Sequence, residues 1–228
     1  MKALLSTAGL LLAATATALI VSSDSAESQT QGPTMGTYSV TVTNLTRSQI
    51  FSPALVATHR GAASMFEAGT ASGTDLQALA EDGNNTLLMA ALAADTNVFD
   101  VQSGTGMIHP GMSETIMVMA DTAHPLLSVA GMMVSTNDTF MGIDGMFLPL
   151  RGKTVLANAY DAGTEFNSED CAFIPGPPCG NGGVHDPAPA EGFIYISNGL
   201  HSAAGAASVP EAEYDWDGPV ARVEIQRL

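Results

Sequence analysis

The chain has 228 residues, with 7 basic against 23 acidic side chains and a formal net charge of -16. That balance repels nucleic acid and anionic membrane surfaces and attracts divalent cations, so no nucleic-acid partner is expected. Apolar residues make up 46% of the chain, enough for one domain with a sizeable core.

Lys2 followed by the apolar, alanine-rich run Leu4 to Val21 reads as a secretory signal over residues 1–26. The run is also long enough for an uncleaved anchor, whereas the small residues Ser22, Ser23, Ser25 and Ala26 favour cleavage. Residues 27–36, rich in Ser, Gln, Gly and Thr, read as a flexible lead-in to a domain over 37–228. The expected location is secreted, periplasmic or cell-surface, with no transmembrane segment after signal cleavage.

Tyr38, Val40 and Val42 alternate with Ser39, Thr41 and Thr43, the pattern of a half-buried opening strand. Ser72-Gly73-Thr74-Asp75 resembles a capping box; Leu76, Leu79 and Ala80 then share a helical face, and Gly83 ends the turn. A second short helix is predicted over Thr86 to Ala94. Strands follow at Thr115–Ala120, Leu126–Val134, Thr154–Tyr160, Gly192–Ser197 and Val220–Arg227, separated by Gly, Pro, Asn and Asp. In the last of these Val223 and Ile225 face inward and Arg222, Glu224 and Gln226 face water, as in a final strand at a sheet edge. The fold class is all-β, an antiparallel sandwich with one or two inserted helices.

Between the strands predicted at Thr154–Tyr160 and Gly192–Ser197, Cys171 and Cys179 flank a proline-rich loop. In an exported protein such a pair reads as a disulfide; zinc ligation with His185 is the competing idea. Met112, Met117, Met119, Met132, Met133, Met141 and Met146 fall mostly in apolar strands, where thioethers fill core gaps.

Asn137 and Asp138 after one apolar strand, and Asp161, Thr164 and Glu165 after another, put hard oxygen donors on turn-prone segments, while Gly163 permits a tight backbone. Calcium takes six to eight such oxygens. The alternative is that Asp138 and Asp161 are ordinary Asx turns capping strands.

The segments Tyr38–Asn44, Gly69–Gly83, Leu127–Gly142 and Asp161–Glu165 resemble, in that order, the spondin N-terminal domain, the core of F-spondin and mindin that also occurs in bacterial exported proteins. The resemblance implies a C2-like sandwich of about eight strands with calcium (Ca2+) in loops at one end. Asp138 stands at the aspartate of the family's Ser-Pro-Asp-Trp motif, with Thr139 in place of the tryptophan. Asp161 opens the Asp-Ala-Gly-Thr-Asp motif, whose final aspartate is here Glu165. Glu81, in Ala80-Glu81-Asp82-Gly83, sits in a segment similar to the family's Ala-Glu-Trp-Gly. Integrin or matrix binding by vertebrate members is not carried over.

No G-x-S-x-G, H-E-x-x-H, P-loop or G-x-G-x-x-G occurs. The expectation is therefore a non-catalytic calcium-binding module for surface or extracellular adhesion, its partner an unidentified extracellular protein, glycan or surface ligand. The alternative is a metal-dependent hydrolase built on His185, Asp186 and His201.

Overall fold

The computed structural model describes residues 34–200 and 208–228; the predicted signal, residues 27–33 of the lead-in, and His201 lie outside them. Alternation of side chains along the first strand, β1 (Gly36–Asn44), buries Tyr38, Val40 and Val42 as expected. The remaining elements are β2 (Leu55–His59), α1 (Thr74–Asp82), α2 (Thr86–Ala94), β3 (Val98–Ser103), β4 (Ser113–Ala120), β5 (Leu126–Met132), β6 (Thr139–Phe147), β7 (Lys153–Asp161), β8 (Tyr195–Ile196), α3 (Glu211–Tyr214) and β9 (Ala221–Arg227). All strand pairs are antiparallel, in the order β3-β2-β5-β6-β7-β9-β1-β4 with β8 on β7. The all-β reading stands, with nine strands among the described residues, one of them only two residues long.

β7 joins the two layers. Lys153–Ala157 pair with β9, and Asn158–Asp161 turn into the other layer to pair with β6 and β8. The free ends of the path are bridged: Thr58 Oγ1 donates to Met119 O at 2.6 Å, and Met119 N donates to Asp100 Oδ2 at 2.7 Å. The sandwich is thus nearly a closed barrel, which leaves little open strand edge.

Val40, Val42, Ile116, Val118, Val129, Val223 and Ile225 form the core between the layers. A second cluster lies outside it, where Leu76, Leu79, Leu88 and Leu92 of α1 and α2 pack on Leu55, Ala57, Ala130 and Phe140. β5 is therefore covered on both faces, the physical reason its sequence is an apolar run broken only by the buried, hydrogen-bonded Ser128.

Helix α2 matches its predicted range, and α1 ends as predicted: Gly83 takes φ 65°, its N–H donates to Leu79 O, and the Asn84 N–H donates to Ala78 O. The capping box does not form. Ser72 Oγ donates instead to Ala162 O at 2.7 Å, tying the helix start to the turn after β7, and no side chain caps Gly73.

Three further expectations are corrected. β9 is not an edge strand but lies between β7 and β1; alternation reports one buried face and says nothing about lateral neighbours. Met132, Met133 and Met141 are fully buried, but Met112, Met117 and Met119 are exposed, the last two on the outward face of β4. The strand expected over Gly192–Ser197 shortens to the two residues of β8.

Candidate metal centre

The antiparallel β6–β7 register puts Thr139 opposite Asp161. Asp138, just before β6, and Asp161, at the end of β7, consequently sit side by side at one end of the layer although 23 positions separate them. Both are buried, as are Glu165, Glu81 and Glu169.

The turn after β7 wraps the Asp138 carboxylate. Its Oδ2 accepts the Thr164 N–H at 2.7 Å, the Glu165 N–H at 3.0 Å and the Thr164 hydroxyl at 3.2 Å. Its Oδ1 is buried without a partner. Asp161 is fully engaged: Oδ1 accepts the Gly163 N–H at 2.7 Å, and Oδ2 accepts Asn167 Nδ2 at 2.6 Å and the Tyr195 hydroxyl at 3.0 Å.

Glu165 repeats the Asp138 arrangement. Its Oε1 accepts Asn137 Nδ2 at 3.1 Å and the Asp186 N–H at 2.7 Å, while its Oε2 is buried and unpartnered. Glu81, near the end of α1, holds Gln77 Nε2 on Oε1 at 2.9 Å. Ligand atoms of Glu81, Glu165 and His185 all lie within 4.8 Å of one another. Asp138 and Asp161 form the neighbouring half of this acidic end.

The Spondin_N family profile matches residues 41–169. This chain belongs to the spondin N-terminal domain family. The matched span of the spondin domain contains Glu81, Asp138, Asp161 and Glu165 but stops before Cys171, Cys179, His185 and β9. Comparison with curated proteins finds no match. Cys171 and Cys179 are joined as a disulfide, which together with the family marks an extracellular-type module. Among the described residues of the domain no helix is long and apolar enough to cross a membrane.

Electrostatically, the acidic end of the spondin domain is under tension. Burial, followed by the charge of Asp161, pushes the Asp138 carboxyl up against the opposing Thr164 and Glu165 N–H groups. Burial likewise raises Asp161, outweighing the donors from Asn167, Gly163 and Tyr195. Burial raises Glu165 to about 7, the Glu81 charge adding to it and the Asp186 N–H and Asn137 opposing it. Burial disfavours the charged His185 imidazole, but the Asp82 hydrogen bond and the charges of Glu81, Asp82 and Glu165 prevail and raise it.

A raised carboxyl means that the fold holds a proton which the unfolded chain releases. For Glu165 this stabilising contribution is complete below about 4.5 and is lost as pH rises through about 7; Asp138 and Asp161 act in the same direction. Chelator-treated protein is expected to melt at a lower temperature near pH 8 than near pH 5. Thermal circular dichroism across that interval checks it, and a rising Tm would contradict the sign.

Two carboxylate oxygens at this acidic end, Asp138 Oδ1 and Glu165 Oε2, are buried without a protein partner and are of the chemistry a hard divalent cation takes; the ligand atoms within 4.8 Å of one another are those of Glu81, Glu165 and His185, a set without Asp138 or Asp161. Asn137 and Thr164 are braces more than ligands: Asn137 Oδ1 accepts the Glu169 N–H at 3.0 Å, and Thr164 donates to Asp138. Sequence reasoning missed Asn167, Tyr195 and Glu169. Asn167 and Tyr195 meet on Asp161, and Asn167 Nδ2 also donates to the Tyr195 hydroxyl at 3.0 Å, through the pairing of β8 with β7, so nothing in their local sequence marks them.

The hydrolase set fares differently. Asp186 Oδ1 accepts the Ala188 N–H at 2.9 Å within its own turn, and His185 pairs with Asp82 and Glu81. Their side chains are not hydrogen-bonded to each other.

Proposed function

We propose that this chain is an exported, calcium-binding β-sandwich module that acts by binding and not by catalysis, presenting its carboxylate end to an extracellular protein, glycan or surface ligand. The reading is carried by one observation: two buried carboxylate oxygens, Asp138 Oδ1 and Glu165 Oε2, have no protein partner at an end where Glu81 and Asp161 are also buried. Leaving a buried anionic oxygen unpaired costs several kcal/mol, and a hard cation removes that cost.

Calcium would be held by Asp138 and Glu165, with Asp161 and Glu81 completing the negative field. Because the carboxyls are raised, the ion competes with protons, so affinity rises with pH. Loops at a sandwich rim are the usual place for recognition, and the ion would stiffen two of them at once.

The test is a calcium titration of the chelator-stripped full chain near neutral pH. At a hundredfold the dissociation constant the ion adds about 2.7 kcal/mol, which for a domain of this size is roughly 5–10 °C in Tm. A melting curve unmoved by calcium defeats the reading.

A further inference from the structure

His185 changes the chemistry of one corner of this end. It arrives on a segment beyond the family match, yet its ring stands with two buried glutamates from distant parts of the chain, Glu81 from α1 and Glu165 from the turn after β7. We propose that Glu81, Glu165 and His185 form a site for a borderline transition-metal ion, with Zn2+ as its type, next to the calcium position and sharing Glu165 with it. This rests on the reading of the acidic end as a cation site and goes beyond it in the class of metal.

Four features of the geometry carry it. Glu165 Oε2 is buried with no partner, while Oε1 is fixed by Asn137 and the Asp186 N–H. One carboxylate oxygen orients the group and leaves the other to a ligand. Glu81 and Glu165 are both buried, and among the described residues neither is paired with a lysine or arginine. Two buried carboxylates with ligand atoms within 4.8 Å of each other are relieved by a proton on one of them or by a cation between them.

His185 itself is oriented as a ligand. Its Nε2 bonds Asp82 Oδ1 at 3.2 Å, the carboxylate–imidazole arrangement that would fix the tautomer and leave Nδ1 free for a metal. Nδ1 then stands 3.6 Å from Glu81 Oε2, too long for a hydrogen bond. Two ligand atoms on one tetrahedral ion, each at about 2.0–2.2 Å, lie about 3.4 Å apart. The observed gap is close to that.

Imidazole nitrogen is a poor calcium ligand, whereas imidazole with carboxylates suits zinc. Three protein ligands leave a fourth position open, and the His185 side chain is 41% exposed, so that position faces solvent. Water, or a donor atom from a partner, can occupy it.

The experiment uses the purified, tag-free full chain stripped with chelator. Zn2+ is titrated calorimetrically, Co2+ is added as a visible-spectrum probe of tetrahedral geometry, and Ca2+ is followed by Tm. One equivalent of zinc is expected, with tetrahedral cobalt bands. Asp82→Asn should weaken zinc by roughly 10–100-fold, the range of a lost outer-shell partner, and His185→Ala by more. Both variants should keep a rise in Tm with calcium. His185 is exposed enough for its variant to fold, which circular dichroism checks.

Calcium binding without zinc binding, or zinc binding indifferent to His185→Ala, overturns this inference and leaves the calcium reading standing. Zinc binding that depends on His185, in a chain whose Tm ignores calcium, upholds the inference and removes the calcium reading. Failure of both ions removes both.

Discussion

Gly163→Ala is expected to destabilise the protein by about 2–5 kcal/mol and to abolish its response to calcium. Gly163 has φ 65°, and a Cβ there would lie 2.6 Å from Phe193 N and 2.8 Å from Phe193 C, and closer still to the Phe193 carbonyl oxygen. The left-handed conformation alone costs an L-residue about 1–2 kcal/mol, and forced overpacking adds about 1–3 kcal/mol. Phe193 cannot retreat easily. The main chain on either side of it is tied down by Gly192 N to Gly163 O at 2.9 Å and Ile194 N to Thr70 O at 2.8 Å. The next residues, Thr164 and Glu165, supply the N–H groups that hold Asp138, so relief of the clash dismantles the centre. Gly183→Ala is the control: φ there is 75°, but nothing lies within 4 Å of an added Cβ, and only the conformational cost of about 1–2 kcal/mol remains. Equal Tm losses in the two variants would show that contact with Phe193 is immaterial.

Glu165→Gln is expected to change sign with calcium. Without an ion, near pH 8, the wild-type side chain is a buried charge facing Glu81, with a carboxyl raised to about 7. Glutamine removes that charge, and its amide oxygen still accepts the Asp186 N–H and Asn137 Nδ2. The variant should therefore melt at the same temperature as wild type or higher in chelator. In saturating calcium the wild type gains about 2.7 kcal/mol at a hundredfold the dissociation constant, and the variant forgoes most of it. The order of the two melting curves reverses. A purely structural Glu165 would keep the same order, with the same spacing, in chelator and in calcium.

Much of the scaffold was legible because it obeys local periodicity. Val40 and Val42 alternate with hydroxyl residues in β1, Val223 and Ile225 alternate with charges in β9, and Thr86–Ala94 is a helix of the predicted length. β2, β3 and β6 were not anticipated. β2 is five residues buried on both faces, so it shows no alternation, and β6 carries Gly142 and Gly145 in a stretch that reads as loop. Ser72 resembled a cap because capping motifs are short; a tertiary acceptor, Ala162 O, claimed its hydroxyl.

From its own residues the chain dictated an acidic, all-β module with oxygen donors placed just outside strand ends, since side-chain alternation and turn chemistry act between near neighbours. Tertiary structure alone decided which of those donors meet. The β6–β7 register set Asp138 beside Asp161, α1 delivered Glu81 to Glu165, and a loop beyond the disulfide brought His185 to both. Register and docking depend on contacts between segments tens of residues apart, and no local pattern in a chain encodes the partner it will find there.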